Sequence, residues 1–183
     1  YDIQETAVEE EVEEIPDYPV TVFVSREGYL KKITPQSLRM SGEQKFKEGD
    51  SLRFSVETTN RAELLVFTDQ FQCYKSRLSD FDDGKASLLG DYLPSKLQME
   101  EGETVAAVYL PGDYSGNFLF VFENGKIAKV PLSSYATKTN RRKLTGACSD
   151  KSPLIRVFHL LEETDLLLRS SSNRAILIGT DQI

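Results

Sequence analysis

Lysine recurs in this chain at a fixed distance from a turn. Lys32, Lys75 and Lys129 each stand four residues after a column formed by Gly28, Phe71, Gly125 and Asn173, with Leu177 in the fourth copy. Further cations lie around them: Lys31, Arg77 and Lys126 near the hairpins, Arg39, Lys45 and Lys47 after the first, and Lys138, Arg141, Arg142 and Lys143 after the third. Ammonium and guanidinium groups spaced along a curved surface replace counterions on an array of phosphates, and so suit a protein that bends duplex DNA without reading its sequence. No base-reading helix or zinc pattern accompanies them, so phosphate contacts are expected to dominate. A second role competes for the strand lysines, since lysine on an edge strand guards a sheet against edge-to-edge pairing. The Arg141, Arg142 and Lys143 cluster falls in a polar arm, where the competing role is a solvated loop.

The elements that must carry these residues are hairpins. Leu119 to Phe122 is an apolar run, Asn124-Gly125 a turn, and Lys126 to Val130 the return strand; Asn-Gly between two such runs predicts a type I′ turn, with positive φ at both residues. The same unit recurs near 22–38, 65–81, 119–135 and 167–183. The turn columns are spaced by about 43 to 54 residues, the period of blade-like repeats. Phe71 is a poor residue for positive φ, which predicts a different turn in the second copy. A glycine and acidic turn followed by an alternating strand precedes later hairpins: Glu48-Gly49-Asp50 with 52–58, Glu101-Gly102-Glu103 with 104–110, and Asp150 to Pro153 with 154–160. Each repeat thus offers three strands, and its polar arm a short fourth. Long amphipathic helices are absent from the pattern, so the expected class is all-β.

Composition narrows the possibilities. The 183 residues carry a formal charge of −7, but residues 1 to 17 hold eight acidic side chains and no basic one. The remainder is close to neutral, with the acidity confined to a leader (1–18) ahead of a repeat domain (19–183). That leader is either a solvated linker or a DNA-mimicking arm that competes for a basic surface. The longest apolar run, Val105 to Leu110, is far short of a membrane span. Cys73 and Cys148 form no C-x-x-C pair and no N-x-S/T sequon occurs, which fits a reducing cytoplasm. The single histidine, His159, reads as a strand side chain. Asp80, Asp82 and Asp83 read as an exposed turn rather than a Mg²⁺ site, and no metal set is expected. Neither a phosphate-cradling glycine loop nor a G-x-S-x-G occurs, so no catalytic residue is assigned.

The runs VFVSREGYLKKITPQSL, LVFTD and FENGKIAKVPLSSYATKTNRRKL resemble the C-terminal domain of the A-type chain of bacterial type IIA topoisomerases, DNA gyrase or topoisomerase IV. The resemblance covers residues 18 to 183 and returns in every unit. It implies a β-pinwheel, a propeller-like disc whose basic rim binds and bends duplex DNA. It also implies about four repeat units of a five- or six-bladed disc. The partners implied are duplex DNA, the ATPase B subunit, plus the rest of the topoisomerase A subunit, in the bacterial cytoplasm. ATP and Mg²⁺ would act elsewhere in the parent enzyme, with no cofactor in this portion. Gyrase domains carry a Q-R-R-G-G-[KR]-G box after the first hairpin, where this chain reads QSLRMSGEQKFKEG; the nearest approach is TKTNRRKL after the third. Chiral wrapping is therefore in question, and gyrase and topoisomerase IV are not separated. A different class of function, a propeller-like scaffold for protein partners, fits the near-neutral repeats; a gel shift at low salt separates the two.

Overall fold

The computed structural model describes residues 14–136, 143–144 and 152–183. The acidic run up to Glu13, together with Lys138, Arg141, Arg142 and Cys148, lies outside the described residues. The strands are β1 (Pro19–Ser25), β2 (Tyr29–Ile33), β3 (Leu52–Thr59), β4 (Glu63–Thr68), β5 (Cys73–Arg77), β6 (Asp91–Tyr92), β7 (Val105–Tyr109), β8 (Asn117–Phe122), β9 (Ile127–Pro131), β10 (Lys143–Leu144), β11 (Leu154–Leu160), β12 (Asp165–Arg169) and β13 (Ala175–Gly179). Two short helices, α1 (Pro35–Met40) and α2 (Leu93–Lys96), interrupt the arms. All ladders between named strands are antiparallel, so the class is all-β. No helix among the described residues is long and apolar enough to cross a membrane.

Four sheets form, one around each expected hairpin. Blade 1 has the order β3-β1-β2-β6, blade 2 β10-β5-β4-β7 and blade 3 β11-β8-β9, while hairpin 4 pairs β12 with β13. The alternating strands do not join the hairpins they precede. Instead β3 returns to β1, β7 to β4 and β11 to β8. The short fourth strand comes from further along: β6 and β10, in the arms after the second and third hairpins, pair with β2 and β5. Each arm thus crosses to the previous blade. Gly90 marks one crossing, since a Cβ there would stand 2.4 Å from the Leu30 carbonyl oxygen.

The turn column is uniform, which corrects both sequence expectations about it. Gly28, Phe71, Gly125 and Asn173 all adopt positive φ, at 94°, 63°, 80° and 61°, and Asn124 does not. Each donates its N–H to the carbonyl three residues back. The loop is therefore three residues long, a type I turn closed by one left-handed residue, rather than type I′. Phe71 takes that conformation because the strands on either side impose it, at a backbone cost of about 1–2 kcal/mol.

Packing explains why the strands of blade 2 read as continuous apolar runs. Leu64 and Val66 face blade 1 in a core with Val20, Val22, Val24 and Leu30. The alternate residues Leu65 and Phe67 face blade 3 in a second core with Phe118, Phe120, Leu132 and Tyr135. These four β4 residues are all fully buried. Phe67 meets Phe118, Phe120 and Tyr135 edge-on, with ring centres 5.4 to 5.6 Å apart, an arrangement that adds to simple area burial.

Candidate nucleic-acid interface

Strand register sets which way each repeated lysine points. Lys32 pairs with Val22 and Lys75 with Leu65, and Val22 and Leu65 belong to the cores shared with blades 2 and 3 respectively. Lys129 pairs with Leu119 and reaches hairpin 4. Every lysine of the column therefore faces the next repeat.

There each ammonium finds the same kind of partners. Lys32 Nζ donates to Asn60 Oδ1 at 2.6 Å and to the Leu78 carbonyl at 3.0 Å, and pairs with Asp83 at 3.3 Å. Lys75 Nζ donates to the Tyr135 carbonyl at 3.4 Å, pairs with Glu63 at 3.3 Å and lies 5.2 Å from the centre of the Tyr114 ring. Lys129 donates to Glu163 and, at 3.1 Å, to the Thr180 carbonyl. In each case one partner (Asn60, Tyr114 or Glu163) sits in the turn entering the next hairpin, and the other is a carbonyl of the 3₁₀ turn leaving it. Neighbouring carboxylates shift the tyrosines of these clasps: burial, then the hydrogen bond to Asp83, raises the Tyr18 hydroxyl, and burial and Glu63 raise that of Tyr114.

These contacts withdraw four residues from the expected phosphate-binding set. Lys32, Lys75 and Lys129 clasp one repeat to the next. Lys31 is buried as well, its ammonium bonded to the Lys45 and Ala86 carbonyls at 3.0 and 3.1 Å, and desolvation pulls its pKa below the ordinary lysine value. A lysine whose donors are satisfied inside the fold has none to offer a phosphate. Asp83 is exposed, as expected of a turn, and is also held by Lys32 and Tyr18.

Arg39, Lys45, Lys47 and Lys126 are exposed and Arg77 is half-buried. Lys143 lies in β10 opposite Tyr74. The arms also assemble a pairing that sequence spacing hid: the Lys45 N–H donates to the Ala86 carbonyl at 2.9 Å, which brings exposed Lys85 beside Lys45 and Lys47. Glu43 and Glu48 border that patch. Arg53 and Arg61, which no spacing singles out, are structural. Arg53 donates from blade 1 to the Ala106 carbonyl of β7 at 2.7 Å, and Arg61 donates to the Ile15 carbonyl at 2.7 Å, anchoring the end of the leader. His159 Nε2 lies 2.9 Å from the Ser115 carbonyl on exposed β11, and the described residues bring no group of three or more His, Cys, Asp or Glu within reach of one metal ion.

Antiparallel blades stitched by crossing arms define the β-pinwheel class of repeat fold. No model of a known protein family matches the chain. The chain is nonetheless homologous, over nearly its whole length, to the A subunits of DNA gyrase and topoisomerase IV. It is 25% identical to the DNA gyrase A subunit of Lawsonia intracellularis over 99% of its own length, and 28% identical to the DNA topoisomerase 4 A subunit of Staphylococcus aureus over 96%. It spans 23% and 22% of those relatives. Its fold matches the crystal structure of the C-terminal domain of DNA topoisomerase IV with a TM-score of 0.79 at 22% identity, over 90% of this chain and 52% of that one. The DNA gyrase A C-terminal domain matches with a TM-score of 0.61 at 12% identity, over 93% and 58%.

Proposed function

We propose that this chain is a duplex-DNA-binding and DNA-bending module of a type II topoisomerase A subunit. The observation that carries the reading is the division of its cations. The lysines on the strands are consumed in holding the blades together, whereas Lys45, Lys47 and Lys85 gather, exposed, where two arms meet. Such a surface offers charge without base-reading geometry, so binding is non-specific and its affinity falls with salt. Arg39, Arg77, Lys126, Lys138, Arg141, Arg142 and Lys143 extend this surface in the proposal. DNA bends as it follows the arms from blade to blade. Strong chiral wrapping is not part of the reading, because the gyrase-type arginine-glycine box is missing from the first arm. Residues 1–18 serve as a leader to residues 19–183. The working partners are DNA, the B subunit that hydrolyses ATP, and the remainder of the topoisomerase A subunit, in the bacterial cytoplasm. This portion needs no cofactor of its own.

The test is a duplex of about 40 base pairs, titrated with the chain across a salt series, with and without the leader. The log–log slope is expected to be several units, about 0.9 per phosphate contacted. Reversing Lys45, Lys47 and Lys85 together is expected to reduce that slope by two to three units, again at about 0.9 per contact. No binding at low salt overturns the reading and leaves the protein-scaffold alternative.

A further inference from the structure

Lys31 stands beside the lysine column but points the other way. It pairs with Phe23 across β1 and β2, on the face of blade 1 opposite the core shared with blade 2, and only 4% of it is exposed. The same position of the later hairpins holds Tyr74, Ala128 and Ile176, so its role belongs to blade 1. Unlike Lys32, Lys75 and Lys129, it reaches no carboxylate among the described residues.

What covers Lys31 is the pair of arms that carry the exposed cations. In the first arm the residues alternate: Lys45 and Lys47 are exposed, while the Phe46 ring between them turns toward the Lys31 ammonium, 5.5 Å from the ring centre. In the second arm exposed Lys85 is followed by Ala86, 1% exposed. Gly90 then lies against the Lys31 stem, where a Cβ would stand 2.6 Å from Lys31 Cγ. The ammonium donates to one carbonyl of each arm, Lys45 at 3.0 Å and Ala86 at 3.1 Å. The Ala86 carbonyl also accepts the Lys45 N–H at 2.9 Å, so both polar groups of the Lys45 backbone are held at this junction. Among the described residues, the hydrogen bonds that tie residues 43–46 to other parts of the chain all end there.

We infer that Lys31 is a positioning residue for the DNA surface, a role that rests on the DNA-binding proposal: from its buried place it fastens two arms together, so that Lys45, Lys47 and Lys85 are set side by side before DNA arrives. Lys31 itself touches no phosphate. Cations ordered in advance forgo the cost of being ordered on binding. Loosening the junction therefore lowers affinity but leaves the number of phosphate contacts, and with it the salt slope, in place.

The experiment compares wild type, Lys31→Met and Phe46→Ala, each as the full 183-residue chain, by hydrogen exchange of the Lys45 amide and by duplex titration across a salt series. In both variants the Lys45 amide should exchange faster while the amides of β1 and β4 keep their wild-type protection. Duplex affinity should fall by about tenfold with the log–log slope unchanged. In a chain whose Lys45, Lys47 and Lys85 are replaced by Gln, Lys31→Met should lower affinity no further. Phe46 lies outside both buried cores, so Phe46→Ala decides the matter if Lys31→Met unfolds. Wild-type affinity in a variant whose Lys45 amide has lost protection overturns the inference, and so does an amide that stays protected in both variants. A slope reduced by about 0.9 in Lys31→Met also overturns it, because Lys31 would then contact a phosphate directly. Those three results leave the DNA reading standing, whereas a wild type that binds no duplex overturns that reading and the positioning role with it.

Discussion

Lys32 and Lys129 occupy the same column of the repeat and make the same two kinds of bond, yet they hold their neighbours in different ways. Around Lys32 the clasp closes over a core in which Val22, Val24, Leu64 and Val66 are fully buried. Around Lys129 the paired Leu119 is fully buried, while hairpin 4 brings half-buried Leu166, Leu168 and Ile178. A polar clasp specifies where the next blade sits; the apolar surface behind it supplies most of the strength. Repeating a motif therefore repeats the geometry of a joint without repeating its stability.

The sharpest way to break this comparison is at the buried end. Lys32→Met removes one partner from Asp83, Asn60 and the Leu78 carbonyl, and should lower global stability by about 3 kcal/mol, read as a shift of the denaturant midpoint. Lys75→Met should cost less, about 2 kcal/mol, since its ion pair is more hydrated. An equal loss for the two would sink the idea that burial grades the clasps.

Gly125→Ala probes the backbone without touching a clasp. No atom lies within 4 Å of where the new Cβ would be, so the cost is conformational alone, about 1 kcal/mol; Tm by calorimetry reads it.

Acidification sharpens the other end. Hydrogen bonds from Lys129 and Thr180 hold the Glu163 carboxyl below the usual glutamate range. Its contribution is complete above the ordinary glutamate pKa and is lost as pH falls through the lower, folded value. Hydrogen exchange of β12 and β13 should therefore quicken in that acid window before the rest of the chain responds. The smallest effect on stability is expected from reversing Lys45, Lys47 and Lys85, whose exposed side chains should leave the midpoint within about 0.5 kcal/mol while duplex affinity falls.

Much of the fold was legible in the residues. The alternation of Leu52 to Thr58, the apolar run of β8 and the place of the Asn-Gly turn follow from side-chain period and turn residues, and all three stand where expected, though the turn's type does not. The pairing of the third strand was not legible, because an alternating strand satisfies its pattern against the hairpin before it or after it. The conformation of Phe71 was not legible either, since local preference argued against what the flanking ladder imposed.

The candidate site divides in the same way. By itself the sequence determined that cations recur, that one column of them is periodic, and that acidity is concentrated in the leader, because composition and spacing are properties of a single chain. Only the tertiary structure decided what the periodic lysines do. Their partners lie 28, 46, 60 and 51 residues away, at Asn60, Leu78, Tyr135 and Thr180, and three of the four are backbone carbonyls. A carbonyl has no signature in a sequence; it becomes a specific acceptor only when the next blade folds and turns it toward the lysine.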